Sequence, residues 1–369
     1  MIGQFSLVLF LRLYAAGASF AITLFLGRLL GPAGFGAYSF AMNWVSIGVL
    51  FTTLGFQHFV IRAIPPMVIH NRQAEVSGLI LLSALITTLL SFIVILASRR
   101  VVFKTAIETD LQLALALGLL LLLPMTWNQL RTGVLQGLGH PVAGQLPERL
   151  VQPSLIFLGV AFCWLTGVSL RVNDVLLITL AATLIAFAVG LVFLVPVIRK
   201  VWTRPIDLHP GIWMAGAAKS SLWFAAATVM GATDTVMLGT LSTPSETGLY
   251  GVAARFFMLM ALPLSAASVL MSQRAAKFYA ANDIVALEDI VRKAALRTFL
   301  SSILLAILST LAAFNVVFLF GVGFEGAFLP ILILVWRRAA VSVFGEPASA
   351  LTNTAFMGTV SIVVILFAM

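Results

Sequence analysis

The chain alternates long apolar runs with short breaks that hold most of its charges, prolines and glycines. Ten runs are long enough to cross a bilayer: residues 5–29, 37–61, 77–98, 111–135, 151–168, 175–197, 217–241, 248–272, 296–320 and 326–352. An eleventh begins near Phe356 and stops at Met369. A hydrocarbon core about 30 Å thick takes about 20 apolar residues of helix, so each run predicts a transmembrane helix. Arg337 and Arg338 interrupt the tenth, which leaves a break in that helix open. No connection is long enough for a soluble catalytic domain, which places the chain's chemistry among its helices.

Composition narrows the class further. Of 369 residues, 61% are hydrophobic and only 9% are charged, whereas soluble domains carry about a quarter charged residues. This excludes a secreted enzyme, a nucleic-acid-binding domain and a single-span receptor. The formal charge of +9 reads as topology and not as a nucleic-acid partner. Lys and Arg gather after the even-numbered spans: Arg62, Arg72, Arg131, Arg149, Arg199, Lys200, Arg204, Lys219, Arg274, Lys277, Arg292, Lys293 and Arg297. The odd-numbered connections hold Arg28, Arg99, Arg100, Lys104 and Arg171, the Arg99–Lys104 group being offset by Glu108 and Asp110. The positive-inside rule then places the N-terminus in the cytoplasm. The first run is too long for a cleavable signal and contains Arg12 and Arg28. Cys163 is the single cysteine, and His58, His70, His140 and His209 show no ligand spacing, so neither a metal nor a cofactor is expected.

The chain also repeats itself. LGRLLGPAGFGAYSFA from Leu26 aligns without a gap to LGTLSTPSETGLYGVA from Leu238, with Leu26/Leu238, Gly27/Gly239, Leu29/Leu241, Pro32/Pro244, Gly36/Gly248, Tyr38/Tyr250 and Ala41/Ala253 identical. Each copy joins the first and second helices of a six-helix unit. An even number of helices per unit gives parallel repeats about an axis along the membrane normal. The expected organisation is an N-terminal lobe over 1–200, a linker over 201–216 and a C-terminal lobe over 217–369, with a cleft between the lobes. A phosphate-cradling role for GPAGFG is disfavoured, because the second copy carries Thr243, Glu246 and Thr247 there.

Ionisable residues at membrane depth are costly and point to function. Asp234 and Arg255 stand about equally far from the turn near Pro244, so a pair across that hairpin is plausible, either locking it or serving a ligand or coupling ion. Arg12, His58 and Arg131, beside Gln57, Asn128 and Gln129, form a cationic and polar group toward one end of the first lobe. Snorkelling toward lipid phosphates is the alternative for them. Arg337 and Arg338 either line the cleft or mark a broken helix. Arginine favours bidentate phosphate contact, so the balance points to an anionic ligand, with Asn43, Asn128 and Gln129 available to sugar hydroxyls. No paired carboxylates, P-loop or nucleophile with a nearby base is present, so no enzyme is expected.

LGRLLGPAGFGAYSFAMNWVSIGVLFTTLGFQHFVIR, DTVMLGTLSTPSETGLYGVAARF and LFGVGFEGAFLPILIL resemble, in order and spacing, the polysaccharide biosynthesis (O-antigen flippase) branch of the multidrug/oligosaccharidyl-lipid/polysaccharide (MOP) exporter superfamily. The resemblance implies an all-α polytopic membrane protein with the MATE-like fold: two parallel-repeat six-helix lobes around a central V-shaped cavity. It also implies flipping of a polyprenyl-pyrophosphate-linked oligosaccharide across the cytoplasmic membrane by alternating access, among membrane lipids and glycan assembly proteins, with possible H+ or Na+ coupling. Arg12 and Arg255 occupy places comparable to the cavity arginines of such proteins, and Asp234 would serve the coupling ion. Twelve or more helices are usual there, so the second lobe is expected to be truncated in helix 11. A multidrug cation antiporter is the nearest alternative, expected to be richer in cavity carboxylates. A membrane-embedded glycan polymerase or acyltransferase is the more distant one, and needs a large loop or a catalytic His/Asp pair.

Overall fold

The computed structural model describes residues 2–104, 109–202, 205–260 and 284–342, and these are helical without a strand. The end of the eighth predicted span beyond Met260, together with Arg204, Glu108, Arg274, Lys277, Glu346 and the run from Phe356, lies outside the described residues. The helices are α1 (Ile2–Thr53), α2 (Phe56–Ile69), α3 (Gln73–Lys104), α4 (Thr109–Gly137), α5 (Pro141–Leu146), a π-turn (Pro147–Val151), α6 (Gln152–Leu165), α7 (Val172–Val201), α8 (Pro210–Leu241) and α9 (Pro244–Met260). After the gap come α10 (Ile284–Phe314), α11 (Val316–Phe320), a 3-10 turn (Glu325–Ala327) and α12 (Phe328–Val341). Six stretches among the described residues are long and apolar enough to cross a membrane. The first of them, Ser6–Thr53, holds two predicted spans.

Those two spans are separated by Gly31, whose φ of 65° and ψ of −179° are non-helical and suit only glycine. Pro32 then restarts the helix at a position where its missing N–H is harmless. The predicted span 37–61 is corrected: it is not one helix. Leu54 (φ 44°) and Gly55 (φ 74°) break it, and α2 starts afresh at Phe56. At Gly55 a Cβ would crowd the Ala217 carbonyl and the Ser221 amide of α8, so backbone approach demands glycine there. The tenth span continues helically through Arg337 and Arg338 to Val341, so the helix does not break at the arginines.

The chain divides into two compact units, Met1–Gly248 and Leu249–Met369. Within the first, α4 is central, packed by α1, α2, α3 and α7. One end of that core is Phe56, Val60, Leu79, Leu130, Val134 and Trp213. In the second unit α10 packs on α12.

The pattern of burial is that of a protein solvated by lipid. On α3, Ser83, Thr87 and Ser91 are fully buried, while Leu85, Leu89, Phe92 and Leu96 are exposed. Each buried hydroxyl bonds back to a carbonyl of its own helix, at Ile80, Ser83 and Thr87 respectively. Small hydroxylated residues let neighbouring helices approach without leaving unmet polar groups, and lipid tails cover the leucines.

Candidate functional site

Among the described residues of the first unit, a buried polar group is built around Arg131 on α4. Its side chain is 1% exposed, so it does not snorkel outward. Nη2 donates to Asn128 Oδ1 at 3.2 Å, to Thr132 Oγ1 at 3.4 Å and to Glu148 Oε1 at 3.4 Å. Glu148 lies in the π-turn and is also 2.7 Å from the Thr132 hydroxyl, which reaches the Gly144 carbonyl at 2.9 Å. Asn128 Nδ2 donates to the Thr183 carbonyl of α7 at 3.3 Å, and Gln152 Nε2 donates to the Thr183 hydroxyl at 2.9 Å. Five elements, α4, α5, the π-turn, α6 and α7, are therefore tied together by one buried network.

Gly190 on α7 completes it. A Cβ there would collide with the Arg131 guanidinium, which lies flat against the helix backbone. Arg131 Nε and Nη1, on that side, have no hydrogen-bond partner. The charge of this buried arginine is matched through Nη2 by Glu148, which is itself only 22% exposed.

The π-turn also carries Arg149, which is exposed. Alongside it runs α1, whose Tyr14 Oη is 2.7 Å from Ser154 Oγ on α6. Farther along the same two helices, the Phe25 ring meets the Phe157 and Trp164 rings edge-on, so α1 and α6 run parallel. Arg12 lies two residues before Tyr14, about 3 Å along the axis, and Arg149 five before Ser154, about 7 Å. The two like charges repel one another, and neither forms an ion pair with a carboxylate among the described residues. Guanidinium groups present their N–H donors in a fork that matches the oxygens of a phosphate or carboxylate.

Of the other sequence candidates, Asn43 donates to the Ser39 carbonyl of its own helix at 2.8 Å. His58 and Gln129 are half-buried on α2 and α4. Asp234 is exposed on α8. Arg255 is half-buried on α9, with Nη1 3.8 Å from Met258 Sδ. Arg337 is exposed, and Arg338 stacks over the Phe257 ring at 5.6 Å. Only Asn128 and Arg131 of the candidates are bonded to one another in the buried network. Glu148, Thr132, Gln152, Thr183 and Gly190 escaped sequence reading, and Arg149 was read as topology alone. The run Pro147–Glu148–Arg149 sat in a presumed loop, where charges signal orientation; Gly137, Gly139, Pro141, Gly144 and Pro147 mask a helix that continues through a π-turn.

Among the described residues, one three-residue set has metal-ligand proximity: the donor atoms of Glu75, Asp207 and His209 lie within 4.8 Å of one another. Each of its members already has a partner within the chain. Arg72 clasps both oxygens of Glu75, and His209 Nε2 lies 3.3 Å from Asp207 Oδ2.

Comparison with known proteins places these features in a family. The model of the polysaccharide biosynthesis protein family matches residues 4–272. No curated protein matches the chain. Among solved structures, an inward-facing multidrug resistance MATE family transporter of the MOP superfamily has a TM-score of 0.69 at 14% identity, covering 94% of this chain and 87% of that chain. An outward-facing one has 0.61 at 15%, with 94% and 83% covered. A MOP superfamily transporter from Pyrococcus furiosus has 0.57 at 13%, with 94% and 83% covered. The chain is a multi-pass membrane protein with the fold of MOP superfamily transporters, and it belongs to the polysaccharide biosynthesis protein family.

Proposed function

We propose that the protein flips a polyprenyl-pyrophosphate-linked oligosaccharide across the cytoplasmic membrane by alternating access, as an exporter and not an enzyme. A transporter fold within a polysaccharide biosynthesis family supports the reading of a glycan intermediate carried on lipid as the cargo. The observation that carries the reading to a pyrophosphate is the pair Arg12 and Arg149, two neighbouring cations with no carboxylate bonded between them. Guanidinium forks match phosphate oxygens two at a time, and a doubly charged headgroup relieves the repulsion between the arginines. Arg255, on α9, is the corresponding contact proposed for the second lobe. His58, Gln129, Arg337 and Arg338 are further contacts, and Asn43 and Asn128 serve sugar hydroxyls. Asp234 is the group proposed for a coupling H+ or Na+. The N-terminus is taken as cytoplasmic.

The test is complementation of a strain lacking the protein. Arg12→Ala combined with Arg149→Ala, and separately Arg255→Ala, should abolish surface glycan while membrane abundance stays at the wild-type level. Lipid-linked saccharide should then accumulate on the cytoplasmic leaflet. Full glycan display by both variants overturns the reading, and a drug-sensitivity phenotype with normal glycan would point to a cation exporter.

A further inference from the structure

We infer that Glu148 is a positioning residue for the anion receptor. Its bonds to α4 hold the π-turn, and the π-turn sets Arg149 beside Arg12. This inference rests on the proposed anion-binding role of the two arginines.

The geometry begins with the turn itself. α5, the π-turn and α6 follow one another without a break over Pro141–Leu165. A π-turn closes its hydrogen bonds over one more residue than an α-turn, so the helix beyond it is rotated by about one residue, about 100°. That offset lets one helix address three neighbours. Before the turn, the Gly144 carbonyl meets Thr132 on α4. Inside it, Glu148 meets Thr132 and Arg131, again on α4. Beyond it, Gln152 reaches Thr183 on α7 and Ser154 reaches Tyr14 on α1. In a plain α-helix the two sets of contacts would be out of phase.

π-turns are rare and frequently mark functional sites. The π-turn packs on α1 and α7, and the carboxylate of Glu148 adds the hydrogen bonds that tie it to α4. Arg149, the next residue, is exposed. It lies five residues before the Ser154 contact with α1, near the level of Arg12. Release of Glu148 frees the turn to relax and swings Arg149 away from its partner.

Electrostatics and positioning give opposite signs, which makes the inference testable. Glu148 is a negative charge next to Arg149 and bonded to Arg131. Coulomb's law alone says that Glu148→Gln should tighten anion binding. Positioning says that it should weaken it. The measurement is calorimetric titration of the full-length protein, in phosphatidylcholine nanodiscs, with inorganic pyrophosphate. Arg12→Ala and Arg149→Ala should each weaken binding on the order of tenfold or more, the loss of a charge-assisted contact. Glu148→Gln should weaken it severalfold. Thr132→Val leaves every charge in place and removes one bond to Glu148; it should act in the same direction and serves where Glu148→Gln fails to fold. Unchanged or tighter binding in Glu148→Gln, or in Thr132→Val where that variant stands in, overturns the positioning role, and loss in the arginine variants would still uphold the anion receptor. Wild-type affinity in both arginine variants, or no binding by the wild type, overturns the receptor itself.

Discussion

Gly36 and Gly248, equivalent positions of the internal repeat, pack backbone to backbone in a reciprocal contact. A Cβ on Gly36 would collide with the Pro244 carbonyl, and a Cβ on Gly248 would collide with the Pro32 carbonyl. Pro32 and Pro244 are themselves repeat equivalents. Each copy thus offers the same glycine to the same carbonyl of the other, the pattern of a two-fold contact between like surfaces.

This contact predicts a coupled loss of stability. Gly36→Ala and Gly248→Ala should each cost about 1–3 kcal/mol through overpacking. Because they disrupt one shared contact, the double variant should cost less than the two together. Midpoints of thermal unfolding in detergent, followed by tryptophan fluorescence, give the comparison. Strict additivity would show the two sites to be independent.

The flat stacking of Arg131 on α7 predicts a second coupling. Gly190→Ala should destabilise by about 1–3 kcal/mol because its methyl displaces the guanidinium. In an Arg131→Ala background the same methyl has room, and the added cost should vanish. Persistence of the full cost in that background would mean that another neighbour excludes the methyl.

Removing Arg131 alone strands Glu148. A buried pair broken on one side costs about 3–5 kcal/mol, and the partial exposure of Glu148 places Arg131→Ala at the lower end of that range. Arg131→Met with Glu148→Leu should recover most of the loss in an unfolding assay, since no unpaired charge remains. A double variant no more stable than Arg131→Ala would contradict the pairing.

The two faces of α3 should respond differently to substitution. Thr87→Leu inserts bulk where helices meet and should cost about 1–3 kcal/mol. Leu89→Val, on the exposed face, should stay within about 0.5 kcal/mol. Equal effects in a detergent unfolding assay would reverse the assignment of inner and outer faces.

Topology is open to a labelling experiment. Leu208 is exposed in the segment between α7 and α8. In a Cys163→Ser background, a cysteine at 208 should react with a membrane-impermeant maleimide only after the cytoplasmic side is opened. Reaction in intact cells would invert the orientation read from loop charge.

The spans were legible because bilayer thickness imposes a length on apolar runs, and backbone hydrogen bonding imposes the helix. The repeat was legible because Gly36 and Gly248 admit no side chain, so the same residue recurs in both copies. The break at Leu54–Gly55 was not, since FTTLGFQHF carries an apolar pattern across it and the left-handed turn answers to α8, which is distant in sequence. Arg131 stood out as a charge within an apolar run, yet its partner did not.

By itself the sequence determined that this is an all-helical membrane protein, where most of its described helices run and that one segment recurs along the chain. These follow from local patterns, which each segment carries wherever it is placed. The tertiary structure decided which charges are matched and which stand together. Glu148 reaches Arg131 because the helix that carries the π-turn packs along α4, and Arg149 acts on Arg12 because α1 lies along that turn. Hydrophobic periodicity reports the face that a helix turns toward lipid. It says nothing of the neighbour that meets a buried polar group, because that depends on three-dimensional packing of segments far apart in the chain.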